Sequence, residues 1–163
     1  MNTKKLTSNL EDYLETIFSI VSTHEVARSM EIAEHLGVKR SSVTVALRSL
    51  AEKGLINYTP RSYITLTEKG RDAAQCIDRR HHILQDVFMK LFDLPESDAN
   101  DAACKMEHGM TPKVCRKLAS LCAVMENNPG LSETLKKKIA YYSKKIDCTS
   151  TCGYPINEEH DEH

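Results

Sequence analysis

Tryptophan is absent from the 163 residues, glycine (6) and proline (5) are scarce, and aromatic side chains make up only 6%. A turn-rich β fold needs glycine and proline at its corners, so their shortage points to helices. No apolar run approaches the roughly 18 residues of a membrane-spanning helix, which excludes one. The opening stretch MNTKKLTSNLEDYLE has neither an apolar core nor a small-residue cleavage site, so no secretory signal is read and a cytoplasmic location is expected. A dominant charge of one sign is also missing, since the net charge is −1. With 40% hydrophobic and 28% charged residues, the chain reads as folded rather than disordered or fibrous.

The near-neutral total hides a split. Residues 1–80 carry 12 Lys/Arg against 10 Asp/Glu, and residues 81–163 carry 10 against 13. Within 39–63, Lys39, Arg40, Arg48, Lys53 and Arg61 face a single acid, Glu52. Local positive charge of this kind suits phosphate contact, so DNA binding is compatible with the overall balance.

Hydrophobic periodicity predicts a helix over 7–22, where Leu10, Tyr13, Leu14, Ile17, Phe18 and Val21 recur at helical spacing. Ser8 is read as its N-cap, with Glu11 as capping-box partner. A short helix over 29–36, capped by Ser29 and stopped by Gly37, precedes a third over 40–53 that Gly54 ends. Two helices across a tight glycine turn form a helix-turn-helix. The β-prone runs 55–58 and 63–66 then read as a hairpin, the wing of a winged helix. Thr67 caps a long helix running to about Asp93, and three further helices follow, starting at Pro95, at Thr111-Pro112 and after the break at 127–130. The fold class is mainly α: an N-terminal winged helix-turn-helix (1–72), an all-helical domain (73–147) and a Cys/His-containing tail (148–163).

Cys104, Glu107 and His108 fall within about 100° of one another on an ideal helix. A thiolate, a carboxylate and an imidazole on one face are transition-metal ligands, although the spacing alone also fits a polar face with a half-buried cysteine. Asp12 and Glu15 form an i,i+3 acidic pair, which by itself fits a solvated face, and His81-His82 lie midway along the long helix. No H-E-x-x-H motif occurs, so nothing supports a metallohydrolase, and no enzyme is expected.

The stretches LEDYLETIF, IAEHLGVKRSSVT, ITLTEKG, RRHHIL and DAACKMEHGM follow one another between residue 10 and about residue 110. In this order they resemble the metal-dependent repressors that include the diphtheria toxin repressor and the manganese transport regulator. The resemblance implies a cytoplasmic, homodimeric, metal-activated repressor that binds operator DNA of metal uptake and homeostasis genes, with the helical domain serving dimerisation and metal binding. The resemblance implies no membrane partner and no small-molecule substrate. At this length the SH3-like domain of longer members is not expected. Motif by motif, the resemblance implies Asp12, Glu15, His81, Cys104, Glu107 and His108 as metal ligands.

The set is a hybrid. Manganese-type members carry Glu at the position of Cys104, while iron-type members carry that Cys but have Met at the position of Asp12. An ancillary site of iron-type members, built on His81, would need an acid and a His where this chain has Gln85 and Asn100. A thiolate favours borderline ions over hard Mn²⁺, so Fe²⁺ is favoured and Mn²⁺ is next. Metal is expected to tie the first helix to the helical domain and fix the spacing of two DNA-binding heads.

The expected DNA contacts are Lys39, Arg40, Ser41, Ser42, Thr44 and Arg48 on the recognition helix, with Arg61 and Tyr63 in the wing. Val45 stands where relatives often place a polar base reader and could meet a thymine methyl. Cys115 and Cys122 share a helix face and read as packing. Cys148 and Cys152, near His160 and His163, fit either an unstructured tail or a second metal or thiol site. The alternative function is a winged-helix regulator that senses oxidants or a ligand through cysteines, without a regulatory metal.

Overall fold

The computed structural model describes residues 6–146. Its elements run α1 (Ser8–His24), α2 (Ser29–Leu36), α3 (Arg40–Glu52), β1 (Ile56–Asn57), β2 (Thr65–Leu66), α4 (Glu68–Phe92), α5 (Glu96–Met106), α6 (Pro112–Asn127) and α7 (Pro129–Ser143). A 3₁₀ turn, Glu107–Gly109, follows α5. The winged-helix reading holds. β1 and β2 pair antiparallel with Ile56 opposite Leu66, and Ala27 adds a bridge to Ile64 that the hydrophobic pattern did not indicate.

Two caps differ from expectation. Thr7, not Ser8, caps α1, its Oγ1 accepting from Leu10 N at 3.4 Å. Glu11 takes no part in a capping box, because its carboxylate turns inward to Arg80 and His108. Arg28 rather than Ser29 precedes α2, and its backbone N–H donates to Glu31 Oε2 at 2.8 Å. Thr67 caps α4 as expected, accepting from Gly70 N at 3.0 Å. That end of α4 presses onto the backbone of Leu55 so closely that a Cβ on Gly70 would lie 1.8 Å from the Leu55 carbonyl oxygen.

The core falls into clusters strung along α4. Leu14, Ile17, Ile32, Leu47, Leu50 and Ile64 are fully buried in the winged-helix core, which Ala74 and Ile77 of α4 complete. Burying each large aliphatic side chain contributes about 1.5–3 kcal/mol. Further along α4, Leu84 packs with Ala103 and Met110, and Val87 and Leu91 pack with Cys122 and Met125. A helix of 25 residues spans roughly 37 Å. Arg80 and His81 sit between Ile77 of the first core and Leu84 of the second. α7 buries no residue, and Phe92, Val114, Leu131, Tyr141 and Tyr142 of the helical region are exposed on the single chain.

Candidate metal centre and DNA interface

Three segments meet at the middle of α4. α1 brings Glu11, Asp12 and Glu15, α4 brings Arg80 and His81, and the end of α5 with its following turn brings Asn100, Cys104, Glu107 and His108. Local sequence explains the turn. Gly109 is a poor helix former, and Thr111 precedes Pro112, which disfavours helical backbone. The chain therefore tightens into a 3₁₀ turn, with Met110 N donating to Glu107 O at 3.1 Å.

The three residues of the single-face reading differ in depth. Cys104 lies on α5 and is exposed, whereas the 3₁₀ turn carries Glu107 fully inward and leaves the His108 side chain 12% exposed. Ligand atoms of Glu15, His81 and Glu107 nonetheless come within 4.8 Å of one another. His108 Nε2 is 2.8 Å from Asp12 Oδ1 and 3.7 Å from Glu107 Oε1. His81 Nδ1 is 3.0 Å from Glu107 Oε2, while its Nε2 is 3.1 Å from Asn100 Oδ1.

The electrostatics are those of a crowded acidic pocket. Burial, with the neighbouring Glu15 carboxylate, pushes Glu107 up to about 8. Glu15 is also raised by burial, against the opposing pull of His81. Burial acts to lower His108, but its hydrogen bond to Glu11 and the charges of Asp12 and Glu107 outweigh this and raise it. The Cys104 thiol is raised by burial and then by Glu107, Asp12, Glu15 and Asp101. Among the described residues, Glu107 Oε1 is buried without a hydrogen-bond partner. Oxygen and nitrogen donors converging on a buried carboxylate, with the Cys104 thiol near enough to feel its charge, fit a divalent cation.

Sequence reasoning missed Glu11, Arg80 and the contact made by Asn100. Glu11 shares the buried stripe of α1 with Leu14 and Ile17. Arg80 lies between Ile77, Leu84 and Val87 on the buried stripe of α4. A charge inside an apolar stripe was the available signal for both. His82 is exposed beside Asp78, 3.5 Å away, and takes no part in the cluster.

On the DNA-binding head, Lys39, Arg40, Ser41, Ser42 and Arg48 are exposed along α3. Thr44 is half-buried, its hydroxyl donating to Arg40 O at 3.0 Å, so it offers only its acceptor side. Val45 is 67% exposed. In the wing, Arg61 and Tyr63 are exposed. Arg28, not singled out from sequence, donates to Tyr63 Oη at 3.0 Å and stacks 5.1 Å from its ring. Cys115 and Cys122 pack against the α4 clusters, while Cys148, Cys152, His160 and His163 lie outside the described residues.

Residues 5–64 match the family described as iron dependent repressor, N-terminal DNA binding domain, and residues 67–135 match iron dependent repressor, metal binding and dimerisation domain. An uncharacterised HTH-type transcriptional regulator of Methanocaldococcus jannaschii is 32% identical over 69% of this chain and 91% of its own length. The HTH-type transcriptional regulator MntR of Lysinibacillus sphaericus is 30% identical over 80% of this chain and 93% of its own. The crystal structure of T. acidophilum IdeR superposes with a TM-score of 0.62 at 26% identity over 68% of this chain. A manganese-dependent transcriptional repressor in complex with manganese superposes with 0.65 at 26% identity over 70% of this chain. The match spans about half of each of those two solved chains, 52% in both cases. The two family matches together take in most of the chain, and the protein belongs to the iron-dependent repressor family of metal-dependent transcriptional repressors.

Proposed function

We propose that this protein is a homodimeric repressor whose affinity for operator DNA is set by a divalent cation held between α1 and the segment 104–108. The observation that carries this is the convergence of Asp12 and Glu15 from the DNA-binding head with Glu107 and His108 from the helical region, across His81. Asp12, Glu15, His81, Cys104, Glu107 and His108 would hold the ion. A cation there supplies the positive charge that lets the converging carboxylates ionise together. Ionised Asp12 and Glu15 then anchor α1, while Glu107 and His108 anchor the 3₁₀ turn, and the head is fixed relative to the helical region. In a dimer that fixes the separation of two recognition helices, which DNA requires to match a helical turn or a multiple of it.

The reading divides the chain into a head (1–72), a helical domain (73–147) and a tail (148–163), and the family matches over 5–64 and 67–135 support the first two. Phe92, Leu131 and Tyr142 of the helical region are exposed apolar side chains that a second copy would cover. Lys39, Arg40, Ser41, Ser42, Thr44, Arg48, Arg61 and Tyr63 would meet the DNA, with Arg28 bracing Tyr63. Cys104 favours Fe²⁺ over Mn²⁺ as the effector. Asn100 occupies His81 Nε2, which supports one centre rather than an additional ancillary site on that ring. As a regulator of metal uptake and homeostasis genes it acts on cytoplasmic DNA and is no enzyme.

The test is anaerobic fluorescence anisotropy on DNA upstream of its own and adjacent genes, with reduced thiols, comparing chelated protein with protein given Fe²⁺ or Mn²⁺. Binding that appears only with metal is expected. Equal binding in chelator would overturn the proposal.

A further inference from the structure

We infer that Glu11 is a positioning residue that determines which nitrogen of His108 faces the metal, and that Arg80 holds Glu11 in that role. The inference rests on the metal-site reading and adds a residue to it.

An imidazole offers two nitrogens, and the hydrogen bond made by one decides which is left for a metal. His108 Nδ1 lies 2.8 Å from Glu11 Oε2, and His108 Nε2 lies 2.8 Å from Asp12 Oδ1. The other Glu11 oxygen, Oε1, is 3.1 Å from Arg80 Nη2, and both side chains are nearly buried, at 7% and 12% exposure. A carboxylate held this way accepts at both oxygens, so His108 Nδ1 must carry a proton to meet it. Nε2 is then the nitrogen directed at Asp12 and the carboxylate cluster. Both Glu11 oxygens are engaged elsewhere, which sets it apart from Asp12 and Glu15. Arg80 reaches further, its Nη1 lying 3.5 Å from the Glu107 carbonyl oxygen, so one guanidinium ties α4 to α1 and to the 3₁₀ turn. An i,i+1 acidic pair on α1 thus divides its work: Glu11, held by Arg80, orients the imidazole, and Asp12 faces Nε2, the nitrogen whose proton a metal would displace.

Two measurements test this on the full-length chain. Long-range ¹H–¹⁵N correlation spectra of histidine-labelled wild type loaded with Cd²⁺, a diamagnetic probe, should show His108 protonated at Nδ1 and metal-bound at Nε2. Metal on Nδ1 would overturn the inference without any variant being made. Second, Mn²⁺ affinity is compared for wild type, Glu11→Gln, His108→Ala and the double variant. Glu11→Gln should weaken Mn²⁺ binding about 10–100-fold in the wild-type background and cause no further loss beside His108→Ala. An equal loss in both backgrounds would mean that Glu11 acts through its charge alone, and the positioning role fails. If His108→Ala weakens binding and Glu11→Gln does not, the inference falls while the ligand set stands. If His108→Ala leaves Mn²⁺ affinity at the wild-type value, the ligand set itself is wrong.

Discussion

His108 Nε2 stands 2.8 Å from Asp12 Oδ1, joining the first helix of the DNA-binding head to the turn behind α5. The same ring contacts Glu11 through Nδ1 at 2.8 Å. A raised His108 is the natural bridge between these two acids while it keeps both protons. Metal binding and proton loss are therefore linked at this junction.

That linkage gives a pH dependence with a definite sign. Glu107 is raised from 4.5 to about 8, so between those values the folded, metal-free chain keeps a proton that the unfolded chain has released. Stability of the metal-free protein therefore falls as pH rises through that window. His108 acts in the same direction: its stabilising contribution is complete below 6.5 and is lost as pH rises through its higher folded value. Melting curves in chelator should show Tm declining from about pH 5 to about pH 9. Mn²⁺ affinity should rise over the same range, by about tenfold per unit for each proton displaced. A flat affinity profile would contradict the protonated state of the pocket.

Cys104 should set metal preference. The Co²⁺-loaded protein should show thiolate-to-metal charge-transfer absorption that disappears in Cys104→Ser. Cys104→Glu should shift relative affinity from Fe²⁺ toward Mn²⁺ by about tenfold, because a hard carboxylate replaces a soft thiolate. Unchanged spectra and preference would place the thiol outside the coordination sphere.

Gly70→Ala should destabilise the protein by at least about 2 kcal/mol, or roughly 4–8 °C in Tm, because the new methyl must displace the Leu55 backbone. Thermal unfolding measures this directly. A melting curve at the wild-type position would mean that the α4 start gives way easily.

Arg48→Ala should weaken operator binding and reduce the salt dependence of that binding by about one phosphate equivalent, with Mn²⁺ affinity unchanged. Anisotropy titrations at several salt concentrations measure both. An unchanged salt slope would remove Arg48 from the phosphate contacts.

The winged helix, the Thr67 cap and the span of α4 were legible because periodicity, caps and glycine stops agree there. The site was legible in part. The motifs named Asp12, Glu15, His81, Glu107 and His108, which the fold draws toward one junction. Ideal helical geometry put Cys104 on the same face as Glu107 but could not show that Glu107 is buried while Cys104 stays exposed. Glu11 was misread because a capping box is a local pattern, while its real partners, Arg80 and His108, arrive from distant segments. Asn100 escaped notice as a partner because its contact with His81 depends on how α5 packs on α4.

The most direct test of the coupling between head and helical region is the operator affinity of full-length Asp12→Ala, measured with saturating Mn²⁺ and again in chelator. The affinity should be the same in the two conditions, with the metal-dependent gain of the wild type lost. A gain as large as that of the wild type would contradict control of DNA binding through Asp12.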